Sequence, residues 1–433
     1  MKIETPRGVK DFGPEDMIIR EWVIETLKNV FRRYGFDALE TPALESLKVL
    51  TAKSGKEIEK QIFKIEDGEI GLRFDLTVPL ARFVASNPQI PKPFKRYAIG
   101  PVWRREEPQA GRLRQFYQAD IDICGVKSVE ADVECIACAV DCLKELGFKN
   151  FKIRINNRKV LEGFVEVVRR NYNLGVLDKL SIFRAIDKIE KIGKDKVIEE
   201  LTKLGLNKQQ ASFLMKIISS TGSFEKLIEQ SEKLLGSIQI GREGLEELKQ
   251  MYDLSKAYGI DSFMDLDFTL ARGLDYYTGP IFEVEAFTKT RVGSIAGGGR
   301  YDKLIEIYGG QPTPTTGISL GIERIVEIIK KEGIVELPKT NVKVFIACST
   351  EDVKKEAIKI ARDLRKYKIP ARLDVSGKDL KRQLEYADSI GVPYVVIVGK
   401  KELSEGMLKL KDMRKREEKV VPIEDIPKIL GER

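Results

Sequence analysis

Histidine is absent from all 433 residues of this chain. No imidazole is therefore available as a metal ligand, a proton shuttle or the base of a catalytic triad, and zinc sites built on histidine are excluded. Chemistry must rest on carboxylates, guanidinium groups, backbone dipoles or the substrate itself. Cysteine is scarce too: Cys124, Cys135, Cys138, Cys142 and Cys348 are too few and too clustered for a disulfide framework. Three of them invite a metal reading. However, ADVECIACAVDCLKELGF is helix-periodic and puts Cys135, Cys138 and Cys142 on the face that carries Ala131, Ala139 and Leu146. Small core residues are the expectation. No apolar run approaches the ~20 residues of a membrane helix, and the opening MKIETPRGVKDFGPED has no apolar signal core, so a cytoplasmic protein without a membrane partner is expected. The chain also has no G-x-x-x-x-G-K-[ST] loop, so a bound nucleotide would not sit on a P-loop.

What is present is an ordinary globular composition, 42% hydrophobic and 33% charged, with length for two or three packed domains. The net charge of +8 is uneven: residues 341–433 hold 22 Lys and Arg against 16 Asp and Glu. Concentrated in one candidate domain, that balance points toward nucleic acid. Seven cations, Lys92, Lys95, Arg96, Arg104, Arg105, Arg112 and Arg114, crowd the region around FKRYAIGPVWRREEPQAGRLRQFYQADIDICG (94–125). Alternation before Pro108 and again over 116–123 predicts a hairpin with an arginine-lined face, suited either to solvent or to a phosphate-rich ligand and its Mg²⁺.

Elsewhere, 14–34 reads as an amphipathic helix with proline near its start, followed by a strand over 36–40 and a break at Pro42. LRFDLTVP (72–79) reads as a strand with Asp75 and Thr77 on one face, able to hold an ammonium group or simply to end the strand. Residues 172–251 turn helical and Lys/Glu/Leu-rich, with breaks at Gly193, Gly205, Gly222 and Gly236 and no catalytic constellation. AGGGRYD (296–302) suggests a bulge or tight turn, or a surface where ligand meets backbone. Beyond 340, alternating strands and helices predict a small α/β domain with a partly parallel sheet.

Five segments carry a family resemblance. Val102-Trp103-Arg104-Arg105-Glu106 resembles motif 2 of class II aminoacyl-tRNA synthetases, GRLRQFYQ (111–118) is similar to the histidyl-tRNA synthetase family, and RGLDYYTG (272–279) is the stretch most diagnostic of it. The helix and strand ending at Pro42 resemble motif 1, and TGISLGIER (316–324) resembles motif 3. The resemblance implies an α+β catalytic domain on an antiparallel sheet with flanking helices over 1–325, a helical insertion at 172–254, a linker at 326–340 and an α/β anticodon-binding domain at 341–433. It also implies activation of histidine by ATP with Mg²⁺, then transfer to tRNA(His), by a homodimer. Arg104 and Arg272 would be catalytic; Arg104, Glu106, Arg112 and Arg324 would bind ATP. Asp75, Thr77, Gln118, Asp122, Arg272, Tyr276 and Tyr277 would bind histidine, with aspartate at 75 and 122 where the family commonly has glutamate. No metal ligand is assigned. Two other expectations stay open: a non-catalytic, histidine-sensing regulatory paralogue, and a class II synthetase for another amino acid.

Overall fold

Local rules build the first element directly. The helix Pro14–Arg33 begins on proline, carries Glu15 and Asp16 in its first turn and Arg32 and Arg33 in its last, and buries Val23, Leu27, Val30 and Phe31 at helical spacing. A turn with Gly35 at φ +72° then releases the chain into an edge strand. The computed structural model describes residues 3–52, 59–65, 68–107, 113–271 and 276–431. These group into two compact units: Met1–Lys10 with Trp22–Val335, and Asp11–Glu21 with Glu336–Arg433.

The first unit is organised on eight strands. In chain order they are β1 (Asp37–Ala38), β4 (Phe94–Trp103), β5 (Gln115–Cys124), β6 (Phe151–Asn157), β7 (Met264–Leu266), β8 (Pro280–Ala286), β9 (Ala296–Arg300) and β10 (Thr315–Gly321), while β2 (Leu44–Ser46) and β3 (Ile70–Leu72) form a separate pair. The sheet runs β1-β4-β5-β10-β9-β8-β6-β7. Its six central strands are antiparallel, and the short edge strands β1 and β7 pair parallel to their neighbours. The helix Glu130–Glu145 covers β10 and β5, and is buried almost all round. Cys135, Cys138 and Cys142 are fully buried in it, and among the described residues no group of three metal-ligating side chains exists.

Six helices follow the helix Arg158–Asn171 in the stretch expected to be an insertion: Lys179–Ile186, Ile189–Ile192, Lys194–Lys203, Lys208–Ile218, Phe224–Leu235 and Gln239–Tyr258. Gly193 and Gly205 take positive φ between them. The last helix lies against Arg158–Asn171 so closely that a Cβ on Gly163 would stand 2.7 Å from the Gly241 Cα.

The second unit carries β11 (Val344–Cys348), β12 (Ala371–Leu373), β13 (Tyr394–Val398), β14 (Met407–Asp412) and β15 (Glu417–Pro422) in the order β12-β11-β13-β14-β15. The first three are parallel and the last two form an antiparallel hairpin. β11 and β13 are continuous apolar runs because helices cover the sheet.

Three local expectations are corrected. The segment 72–79 is not one strand: β3 ends at Leu72 and a helix, Thr77–Ser86, begins five residues later. Pro79 falls in its first turn, where backbone N–H groups have no intrahelical partner, and Asp75 Oδ1 accepts from the Val78 N–H at 2.9 Å. AGGGRYD holds neither bulge nor turn over its glycines, which form regular β9. The expected linker 326–340 starts inside a helix, Ile322–Glu332, closed by Gly333 at φ +63°.

Candidate active site

Three rows of paired residues cross β4, β5 and β10 on one face of the sheet. Antiparallel partners point the same way, so each row is a local side-chain cluster. The rows are Gly100, Gln118 and Gly321; Ala98, Asp120 and Ser319; and Arg96, Asp122 and Gly317. In every row but the last the residues flanking β5 are small, which leaves open space above Gln118 and Asp120. Gly317 is small for another reason: a Cβ there would collide with Asp122 Oδ1, and one on Gly298 would collide with the Gly317 carbonyl. The glycine-rich strands let carboxylate and backbone approach where no side chain fits.

Over this face lies a cavity of about 380 Å³, within the roughly 300–1,000 Å³ typical of ligand sites. Its floor is electrostatically unusual. Arg96 is fully buried; its Nη2 stands 2.7 Å from Asp122 Oδ2 and donates to the Leu76 carbonyl at 3.0 Å. The second Asp122 oxygen accepts from the Tyr301 hydroxyl. Burial still pushes the Asp122 carboxyl above its usual range, against the pull of Arg96 and Tyr301. Burial pulls the Arg96 guanidinium down, but Asp122 and Asp120 outweigh it and the net shift is upward. Asp120 is pushed up to about 7 by burial first, with Arg96 opposing and Asp122 reinforcing. Asp75 is pushed up to about 6 by burial, opposed by the Val78 N–H and by Arg104.

Several acceptors on this floor have no donor in the protein. They are Asp75 Oδ2, Gln118 Oε1 and both oxygens of Asp120. Gln118 turns its other end to Ser319, donating to Oγ at 2.8 Å. Buried acceptors without donors cost free energy unless a ligand supplies N–H groups.

The walls come from other elements. Thr77 starts the helix after β3, and Tyr276 and Tyr277 stand edge to face with Tyr301, with ring centroids 5.0 to 6.5 Å apart. Arg104 donates to the Phe74 carbonyl at 3.0 Å and lies 5.2 Å from the Phe116 ring centroid. Near it, Glu323 Oε2 accepts from the Tyr117 N–H at 2.8 Å, while Arg324 donates to the Ser294 carbonyl.

The structure thus gathers Asp75, Thr77, Arg104, Glu106, Gln118, Asp122, Tyr276, Tyr277 and Arg324 around one cavity. Arg112 and Arg272 lie outside the described residues. The expected arginine-lined face is not a continuous one. Arg96 points into the protein, Lys95 pairs with Glu134, and Lys92 donates to Thr313 at 2.9 Å, so of that cluster Arg104 is the described cation that reaches the cavity. Sequence reasoning missed Asp120, Tyr301, Ser319 and Glu323. Asp120 had a readable signal, since it shares a strand face with Gln118 and Asp122 at even spacing. It also missed the buried pair of Asp132 with Arg300, whose Nη1 and Nη2 donate to the Val126 and Ser128 carbonyls and so pin β9, the strand that leads to Tyr301.

Comparison with known proteins agrees with this arrangement. The histidyl-tRNA synthetase family model matches residues 8–325, and an anticodon-binding domain model matches 343–433. A histidine–tRNA ligase of Aeropyrum pernix is 43% identical over 96% of this chain and 95% of its own length; one of Pyrococcus horikoshii is 37% identical over 98% and 97%. The crystal structure of a histidyl-tRNA synthetase from Nostoc sp. PCC 7120 superposes with a TM-score of 0.86 at 30% identity, covering 100% of this chain and 99% of that one. With glycine-floored strands, an arginine beside the cavity and a matching sequence along nearly its whole length, the chain belongs to the histidyl-tRNA synthetase family.

Proposed function

We propose that this chain joins histidine to ATP, giving histidyl-adenylate and pyrophosphate, and then passes the histidyl group to the 3′-terminal adenosine of tRNA(His). The observation that carries the reading is the cavity floor: buried acceptors lacking donors suit an amino acid rich in N–H groups, while Arg104 and Arg324 at the same cavity suit phosphates.

Asp75, with Thr77 and Gln118, takes the substrate ammonium; Asp122, Tyr276 and Tyr277 shape the side-chain pocket. Arg104, Glu106 and Arg324 hold ATP, and Arg112 and Arg272 are assigned with them on family resemblance. A substrate carboxylate oxygen attacks the α-phosphorus, its bond to the pyrophosphate oxygen breaks, and no protein base is required. A ribose hydroxyl of the tRNA then attacks the acyl carbon and AMP leaves. Catalysis is therefore positioning plus charge stabilisation by arginine. Mg²⁺ fits only as an ion carried by the nucleotide, because no cluster of three ligating side chains exists among the described residues. Glu106 and Glu323 are the carboxylates on that side that would share it, and the ion would neutralise phosphate charge.

The same reading makes 1–325 the catalytic domain, with its insertion at 172–254, and 341–433 the anticodon-binding domain. It also makes the protein a homodimer through motif 1, working in the cytoplasm. A regulatory paralogue is disfavoured by the match to both family models. ATP–pyrophosphate exchange across a panel of amino acids tests the assignment: exchange should depend on histidine, and exchange driven by another amino acid would overturn it.

A further inference from the structure

Asp122 was the expected reader of the substrate ring, yet its charge is already committed to Arg96 and its second oxygen to Tyr301. Two residues away on the same face, Asp120 is 2% exposed, lines the cavity, and has no hydrogen-bond donor on either oxygen. Its row neighbours Ala98 and Ser319 are too small to cover it. The Ser319 hydroxyl lies close enough to favour the ionised carboxylate without completing a hydrogen bond to it. Charge matching then separates the two acids that Arg96 does not neutralise. Asp75 keeps one oxygen open next to Thr77, which accounts for a substrate ammonium; Asp120 remains. The other N–H-bearing cation of histidine is its ring.

We propose that Asp120 is a specificity-determining residue that accepts a ring N–H of the bound histidine, with Asp122 serving to hold Arg96 and Tyr301 in place behind it. The assignment rests on the histidine reading of the cavity. Ring and carboxylate share one proton, as imidazolium with carboxylate or imidazole with carboxylic acid, and the charged and titratable groups around them are Arg96 and Arg73, Asp122 and Asp75, and Tyr276. A ligand without a ring N–H leaves this carboxylate buried and unpaired, which is how a site rejects isosteres that lack a donor.

The test uses Asp120→Asn in the full-length protein. The KM for histidine in ATP–pyrophosphate exchange should rise roughly 10- to 100-fold, the value of a hydrogen bond to a charged group, with the KM for ATP unchanged. The Tm of the ligand-free variant at pH 8 should equal or exceed that of the unmodified protein, because a carboxylate that burial makes costly has been removed. A histidine KM that stays put, or a lower Tm at pH 8, overturns the proposal, since the second result marks a structural role. Asp120→Ser provides the same comparison; failure of both variants to fold also overturns it. Calorimetry with imidazole-4-propionate, which has the ring but no ammonium, reads binding without catalysis. The same fold-loss in the variant assigns the ring, and an undiminished affinity overturns that assignment. Binding of this probe to the unmodified protein, without histidine-dependent exchange, would sink the functional reading and leave the role of Asp120 standing.

Discussion

The two sheets treat buried polar groups in opposite ways. Within β11–β15 and their helices, Gln383 is 3% exposed and fully satisfied: it donates to the Cys348 and Lys378 carbonyls at 3.1 and 2.6 Å and accepts from the Cys348 N–H at 2.9 Å. Asp374 likewise accepts from Ser376 and Gly377 and faces Lys354. Among the described residues of 336–431, no buried side-chain polar atom lacks a partner. Under the eight-stranded sheet, by contrast, Asp75, Gln118 and Asp120 keep acceptors open. Satisfied polar groups belong to scaffold, and open ones to a surface that expects a ligand.

The largest effect that sharpens this contrast is catalytic. Arg104→Ala should lower kcat for adenylate formation by about 10²–10³, the scale of losing one strong donor to developing charge, with little change in histidine affinity. Single-turnover kinetics measures it, and a near-normal rate would remove Arg104 from the mechanism. The next concerns Arg96, which is placed like a ligand-binding cation but does scaffold duty. Arg96→Met leaves Asp122 buried without its counter-charge and should cost roughly 3–5 kcal/mol by urea unfolding. Adding Asp122→Asn should recover part of that loss; a double variant no more stable than the single would show that the pair is not coupled.

A closer comparison sets one glutamine against the other. Gln383→Leu strands a buried N–H and buried carbonyls, and should cost about 1–3 kcal/mol while leaving histidine activation intact. Gln118→Leu removes an acceptor that has no protein donor, so stability should hardly change while the histidine KM rises. Reversal of these two outcomes would break the distinction between scaffold and site.

Sequence legibility follows the same line. VFIAC and YVVIV read as covered strands because nothing polar interrupts them, and the helix periodicities before and after them are equally plain. β5 is harder, since Gln118, Asp120 and Asp122 alternate with Ala119, Ile121 and Ile123 as if one face met water. That face meets a cavity instead. Its partners arrive from β4 and β10, so the pairing of Arg96 with Asp122 and the isolation of Asp120 depend on register across sequence-distant strands. The helix start at Thr77 was hidden by Pro79, read as the end of a strand although a first helical turn tolerates proline equally well. Family motifs pointed to the cavity residues as a set, but which carboxylate is neutralised and which is open required the sheet.

The smallest expected effect is a difference in the sign of pH dependence between the two sheets. Asp75 and Asp120 are raised in the folded chain, to about 6 and about 7, mainly by burial. Unfolded carboxylates titrate near ~4, so the folded state holds these protons more tightly. The stability they contribute is complete below ~4 and is lost as pH rises through about 6 and then about 7. Asp374 goes the other way: burial pushes it up, but Ser376, Lys354 and Gly377 outweigh burial and the net shift is downward. Its contribution is present above ~4 and is lost only as pH falls through its lowered folded value. Between pH 5 and 8, amides of β5 should therefore lose protection relative to those of β11 and β12 once exchange is corrected for intrinsic rate. Saturating histidine should abolish the loss, because its ammonium and ring bring positive charge to the two carboxylates. Protection of β5 that rises with pH, or that histidine leaves unchanged, would mean that the acids under the eight-stranded sheet are neutralised from within the protein after all.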